Sequence, residues 1–279
     1  MTARMQGKKA VVVGAGQPPN ELLGNGRAIA QLLAREGAEV CAVDRDADRA
    51  HATVKNIIAQ GGKAHVVVAD VGNPDDCARL IAESHVAMGR IDALVNSVGI
   101  NHGDGNPLEL ELAGWQRIMD VNLRSMWLTS RAVVPIMQKQ GGGAITNIST
   151  VGSRTGGGPL FAYSISKAGV NALTHFFAVS YASFNIRCNA VLPAWVFTPH
   201  SIAGLVNAGL AVNQAEVMER GSRSVPLGRM GNAMDVANAV LFLSCDESNF
   251  TTGLEVPVDG GTLAIIGQYA QPSTPASRS

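Results

Sequence analysis

Short runs of β-branched and other apolar residues alternate along the chain with longer stretches of helical character. The runs predict strands at Ala10–Val13, Glu39–Val43, Ala64–Ala69, Ala93–Asn96, Ala144–Ile148, Ile186–Val191 and Glu255–Val258. The longer stretches predict helices near 26–36, 46–60, 74–88, 111–139, 162–184 and 233–245. This alternation specifies an α/β fold, a doubly wound parallel sheet of seven strands covered by helices on both faces. Seven strands in one sheet leave no linker for a second domain, so residues 1–267 are expected to form a single unit. Residues 199–224 break the alternation with mixed small and apolar side chains, and would lie as a lid above the carboxyl ends of the strands. The tail 268–279 holds Pro, Ser, Thr and Ala with Tyr269 as its one apolar anchor, and is expected to be mobile or docked on another subunit.

Composition narrows the partners. Lys plus Arg equals Asp plus Glu at 22 each, so no net field draws the chain to nucleic acid, an anionic membrane or an acidic partner. A small-molecule ligand is expected. The four cysteines, Cys41, Cys77, Cys188 and Cys245, are far apart with no CxxC pair. They read as reduced thiols of a cytoplasmic protein, with neither a zinc site nor a disulfide framework. Residues 1–9 are short and polar and lead straight into a strand, and nowhere do 18 apolar residues run together. Neither a secretory segment nor a membrane span is expected.

Candidate chemistry begins after the first strand, where Gly14-Ala15-Gly16 is followed by Gln17–Leu23 and then by Gly24-Asn25-Gly26 opening a helix. Glycines are needed where a backbone turns sharply and approaches a pyrophosphate, and a helix amino-terminus favours the negative charge. A strict GxGxxG is absent, because Pro19 stands where its third glycine would be. Pro18 and Pro19 predict that Gln17–Leu23 loops outward and rims the nucleotide. Asp44, thirty residues after Gly14, ends the second strand. A carboxylate there accepts both hydroxyls of an adenosine ribose and repels a 2′-phosphate, so it favours NAD over NADP; a helix cap is the alternative. Asp70 follows the third strand and Asn96-Ser97-Val98-Gly99 the fourth, so polar and small residues recur at successive strand ends.

Tyr163 and Lys167 are four apart, which sets them one turn apart on one helix face. A tyrosine base, with an ordinary pKa of about 10, needs a nearby cation at neutral pH, and the lysine supplies one. Thr150, thirteen residues earlier at the end of the fifth strand, adds a hydroxyl for the substrate oxygen. The glycine turn, Asp70, Asn96–Gly99, Asp120-Val121-Asn122-Leu123, the Thr150–Tyr163–Lys167 set, Pro193–Thr198 and Val258-Asp259-Gly260-Gly261 stand in this order. In that order they resemble the short-chain dehydrogenase/reductase family from Lys9 to about Gly261.

The resemblance implies a Rossmann-type, NAD-dependent enzyme that interconverts a secondary alcohol and a ketone, with Asn122, Thr150, Tyr163 and Lys167 as its catalytic set. Lys167 is then expected to lower the Tyr163 pKa and hold the nicotinamide ribose, and Asn122 to hold a water that links Lys167 to solvent. The implied cofactor contacts are Gly14, Gly24, Asn25, Gly26, Asp44, Asp70, Val71, Asn96, Gly99, Tyr163, Lys167, Pro193, Val196 and Thr198. Val13, Ser97, Ala194 and Thr150 depart from the family pattern, and six extra residues separate Gly14 from Gly26. The role of Gly16 stays open, and Ser149 is set aside because strand neighbours point oppositely.

Substrate contacts are expected from His102, Val151, Phe161 and Trp195, with Asn101, Phe197 and His200 nearby. Mostly apolar, these positions favour a hydrophobic or cyclic substrate. Neither histidine has the spacing of a metal ligand. Apolar positions beyond one face of the 111–139 and 162–184 helices predict subunit packing in a homodimer or tetramer. A 3-oxoacyl thioester reductase is the alternative enzyme, and Asp44 argues against its NADPH preference. A non-catalytic nucleotide-binding protein is the alternative from another class, and the presence of both Tyr163 and Lys167 argues against it.

Overall fold

The apolar runs assemble into one sheet of seven parallel strands: β1 (Lys9–Val13), β2 (Glu39–Asp44), β3 (Lys63–Val68), β4 (Ala93–Asn96), β5 (Gly143–Ile148), β6 (Ile186–Pro193) and β7 (Glu255–Val258). The computed structural model describes residues 3–18, 22–156, 160–207 and 211–265. The expectation for the tail 268–279 therefore lies outside the described residues. Strand order is β3-β2-β1-β4-β5-β6-β7. The winding reverses between β1 and β4, and the crevice beyond their carboxyl ends is where open α/β sheets bind ligands.

The helices are α1 (Asn25–Arg35), α2 (Ala47–Ala59), α3 (Pro74–Met88), α4 (Leu112–Met119), α5 (Ser125–Gln140), α6 (Phe161–Tyr181), α7 (Pro199–Asn207), α8 (Gln214–Ser224) and α9 (Ala233–Ser244). Successive strand residues point to opposite faces, and both faces are apolar. Val12, Val40, Ala42 and Val95 pack with Ile29 and Leu33 of α1 and Val236 and Val240 of α9. Val11, Val13, Cys41, Val43 and Leu94 pack with Leu80 of α3, Val133 of α5 and Phe177 of α6. These two buried layers explain why the strands read as continuous apolar runs.

Two departures from the sequence reading bear on the site. The 111–139 stretch is not one helix: α4 and α5 are joined by a π-helical turn, Asp120–Arg124, whose extra residue turns Asn122 fully inward. The 199–224 segment folds as two helices, α7 and α8. They are held by a small apolar cluster in which Val217 and Met230 meet Trp195, Phe197, Ile202 and Leu205. α7 follows β6 and reaches the loop after β4, where Gly204 abuts Asn101. Among the described residues no helix is long and apolar enough to cross a membrane.

Candidate active site

The turn after β1 is shaped for a close-lying ligand. Gly14 has φ +86°, in the left-handed region, and its amide and that of Ala15 donate to the Val43 carbonyl. A Cβ at Gly26 would run into the Gly14 carbonyl, so α1 starts hard against the turn, with Gly24 as its cap residue and Asn25 next. Gly16 has a reason of its own. Its amide donates to Asp44 Oδ2 at 2.9 Å, and a Cβ there would lie 2.5 Å from that oxygen. Asp44 Oδ1 accepts from the Asp46 amide at 3.1 Å, so the carboxylate is pinned at the end of β2 with lone pairs left over. Asn25 Oδ1 is buried without a partner among the described residues. A side-chain-free cradle, a helix amino-terminus and an anchored carboxylate fit a dinucleotide. In the inserted stretch the described part folds back: Gln17 is buried, donating to Leu22 O at 2.7 Å and accepting from Gly24 N at 2.7 Å. Residues 19–21 lie outside the described residues.

The catalytic candidates meet beside this cradle. Lys167 is buried, and its Nζ donates to the carbonyls of Ile148 at 2.7 Å and Val98 at 3.2 Å, the chain just past β4. It stands 6.0 Å from the centre of the Tyr163 ring. A Cβ at Gly99 would lie 3.3 Å from Lys167 Nζ and 3.8 Å from Tyr163 Cε2, so this glycine lets the pair reach the crevice. Burial pulls Lys167 down to about 7 and pushes Tyr163 up to about 12. Desolvation of the phenolate sets this direction for Tyr163, opposite to the depression expected from Lys167. Thr150 Oγ1 donates to Pro193 O and accepts from Gly152 N, both at 3.3 Å, long bonds that leave the hydroxyl free to turn. Ser149 points away, donating to Lys167 O at 3.1 Å.

Other candidates are placed differently from one another. Asn122 accepts from Ile100 N at 2.8 Å and donates to Ile100 O at 2.9 Å and Ser166 Oγ at 3.0 Å. Its side chain therefore ties the π turn to the loop after β4 and to α6. Asn96 likewise turns inward, bonded to Asn147 and Thr129, so only its backbone faces the crevice. Asp70 Oδ1 accepts from Gly72 N at 2.9 Å in a local turn, and Val71 is buried behind it. The Thr198 hydroxyl accepts from Ser201 N at 3.3 Å at the start of α7, while the Val196 carbonyl accepts from Ser201 Oγ. Phe161 stacks on Trp115, ring centres 5.7 Å apart. Trp195 leans on α8, where a Cβ at Gly221 would lie 3.0 Å from its ring. Val151 opens a short 3-10 turn after Thr150. His102 is exposed, its carbonyl accepting from Arg117.

Sequence reasoning missed Asp104. Leu160, the cap residue of α6, makes no side-chain cap bond, but Asp104, from the loop after β4, accepts from Ala162 N at 3.0 Å and Tyr163 N at 2.8 Å. The carboxylate fixes the helix start that carries the tyrosine and offsets its positive end. The contact spans 59 residues, and nothing local to Asp104 announces it.

Residues 23–262 match the family model described as enoyl-(acyl carrier protein) reductase. The chain belongs to the short-chain dehydrogenase/reductase family. This short-chain dehydrogenase/reductase is 35% identical over 270 residues to a 7α-hydroxysteroid dehydrogenase of Clostridium sardiniense, covering 96% of this chain and 98% of that one. It is 37% identical over 243 residues to a cyclopentanol dehydrogenase of a Comamonas species, covering 87% and 94%. The structure of carveol dehydrogenase from Mycobacterium avium in complex with NAD superposes with a TM-score of 0.87 at 29% identity, covering 95% and 100%. As a short-chain dehydrogenase/reductase the chain is an NAD(P)-dependent oxidoreductase of CH–OH groups that interconverts secondary alcohols and ketones.

Proposed function

We propose an NAD-preferring enzyme for apolar, ring-bearing secondary alcohols and their ketones, in which Tyr163 moves the proton. The observation that carries the reading is the Tyr163–Lys167 pair seated at the carboxyl ends of β4 and β5, beside the glycine cradle and the anchored Asp44. Gly14, Gly24, Asn25, Gly26 and Asp44 would hold the dinucleotide, with Asp70, Val71, Gly99, Pro193, Val196 and Thr198 along its length. When bound, NAD supplies the hydride acceptor for oxidation, and NADH the donor for reduction. Tyr163 accepts the proton of the substrate hydroxyl as the carbinol carbon gives up hydride, and returns a proton to the oxygen in the reverse direction. Thr150 turns from Pro193 to donate to the substrate oxygen. The charged form of Lys167 favours the phenolate. Aromatic walls from Phe161, Trp195 and Phe197 favour an apolar substrate, as do the relatives named for cyclopentanol, carveol and hydroxysteroids.

We further place residues 1–267 as the catalytic domain of a cytoplasmic homodimer or tetramer. Support comes from four buried free cysteines and from an apolar groove of about 450 Å³ where Leu123, Trp127, Leu173 and Phe176 meet, with Phe176 72% exposed. The cofactor reading is tested by initial rates on a panel of alcohols with NAD and with NADP. NAD is expected to lead by at least about tenfold, since a carboxylate set against a 2′-phosphate is costly, and Asp44→Ala should narrow the gap. A wild-type preference for NADP, or no relative gain for NADP in the variant, would show that Asp44 does not select.

A further inference from the structure

Two polar side chains in the cleft take no part in the chemistry above. His200, at the second position of α7, lies with its ring centre 6.4 Å from that of Tyr163. Among the described residues its ring nitrogens have no hydrogen-bond partner. Gly204 follows four residues later, one turn along the same helix face. A Cβ at Gly204 would lie 2.6 Å from Asn101 Nδ2, so the Asn101 carboxamide reaches this face of α7 only because residue 204 has no side chain. Among the described residues that carboxamide also has no hydrogen-bond partner. Two uncommitted polar groups are thus brought to one strip of α7, with His200 next to the catalytic ring.

Their chemistry narrows what they bind. His200 is exposed along one side, but its ring leans toward Tyr163, and desolvation on that side, then the charge of Lys167, pulls it below the usual histidine range, so its imidazole is mostly neutral at pH 7 with one donor and one acceptor nitrogen. The carboxamide likewise donates and accepts. Neutral groups of this kind match a hydroxyl or a carbonyl, whereas a carboxylate or phosphate calls for a cation.

We propose that Asn101 and His200 form a second polar subsite that recognises an additional hydroxyl or carbonyl oxygen of the substrate, distinct from the oxygen that reacts at Tyr163. This rests on the reading of the cleft as a site for ring-bearing alcohols and makes diols and hydroxyketones the preferred class. His200 is exposed and Asn101 half-buried, so with a mono-alcohol water satisfies both groups. Discrimination is then about tenfold rather than the far larger factor of a closed site.

The test compares cyclohexanol with the 1,2-, 1,3- and 1,4-cyclohexanediols. It measures kcat/KM with NAD in wild type and variants, and dissociation constants by calorimetry on the NAD complex of Tyr163→Phe, which binds without turning over. At least one diol should exceed cyclohexanol by about tenfold in both, beyond the factor of two for its second hydroxyl. His200→Phe and Asn101→Ala should each collapse that ratio toward two, and His200→Gln, which keeps a donor and an acceptor, should retain most of it. The subsite is overturned if no diol outbinds cyclohexanol, or if the ratio survives both His200→Phe and Asn101→Ala. Diol-selective binding without wild-type turnover would uphold the subsite and sink the dehydrogenase reading alone.

Discussion

Two groups of polar side chains lie at the ends of β4 and β5, and they are wired in opposite ways. In the first, Asn96 Nδ2 donates to Asn147 Oδ1 at 2.9 Å, Thr129 Oγ1 donates to Asn96 Oδ1 at 2.8 Å, and Asn147 Nδ2 donates to Thr174 Oγ1 at 3.0 Å. All four residues are buried, and the chain of bonds runs from α5 through both strands into α6. In the second group Lys167 has two backbone carbonyls for partners, while the Tyr163 hydroxyl and the His200 ring have none among the described residues. The first network satisfies itself and thereby fixes the pairing of Asn96 with Asn147 across the sheet. The second leaves hydrogen-bonding capacity open and holds its titratable groups away from their ordinary pKa values, as a ligand site requires.

The contrast predicts where mutation hurts chemistry and where it hurts folding. Tyr163→Phe keeps the ring and removes only the phenolic oxygen. It should lower kcat by roughly 10² to 10⁴, the range of a positioned acid–base group, while the dissociation constant for NAD and the urea midpoint stay near wild type. Near-normal turnover in this variant would mean that another group moves the proton, and the open cluster would lose its catalytic meaning. Asn147→Leu should do the reverse. It leaves Asn96 Nδ2 with only a long bond to Ser130 Oγ at 3.4 Å and takes away the donor that Thr174 Oγ1 accepts from, a loss of roughly 1–3 kcal/mol of stability. Equilibrium urea unfolding reads this directly, and KM should move little. If Asn147→Leu kept full stability but lost activity, the two clusters would not be separate.

Much of this architecture was legible because its signals are local. The strands came from apolar runs that both faces of a parallel sheet demand, and the Tyr163–Lys167 face from one turn of helix. Asp44 was readable from its place at the end of β2. Gly16 was not, since its need arises only when the Asp44 carboxylate swings against it. The π turn at Asp120–Arg124 has no glycine or proline to mark it, so α4 and α5 read as one helix. Asp104 and Asn147 were missed for different reasons. Asp104 acts across 59 residues of chain, whereas Asn147, a polar residue between the apolar ends of β5, carried a signal that its strand was pinned sideways.

The smallest expected effect is on the dependence of stability on pH. Lys167 has its pKa lowered to about 7 in the folded chain by burial, against an ordinary value of about 10.4 in an unfolded one. Below about pH 7 both states carry the proton, and folding bears the full cost of burying the charge. Above about 10.4 neither does, and that cost is gone. Between these limits the unfolded state binds more protons, so this residue makes stability rise with pH, by no more than about 1.4 kcal/mol per unit. Lys167→Met removes the titration but also strands the carbonyls of Val98 and Ile148, a loss that does not vary with pH. The stability of wild type minus that of Lys167→Met should therefore climb by about 2 kcal/mol between pH 7 and 9, whatever its value at pH 7. Urea unfolding of the cofactor-free proteins across that range measures the difference. A flat difference would mean that the ammonium stays charged in the folded protein, and that the cleft is better solvated around Lys167 than its burial indicates.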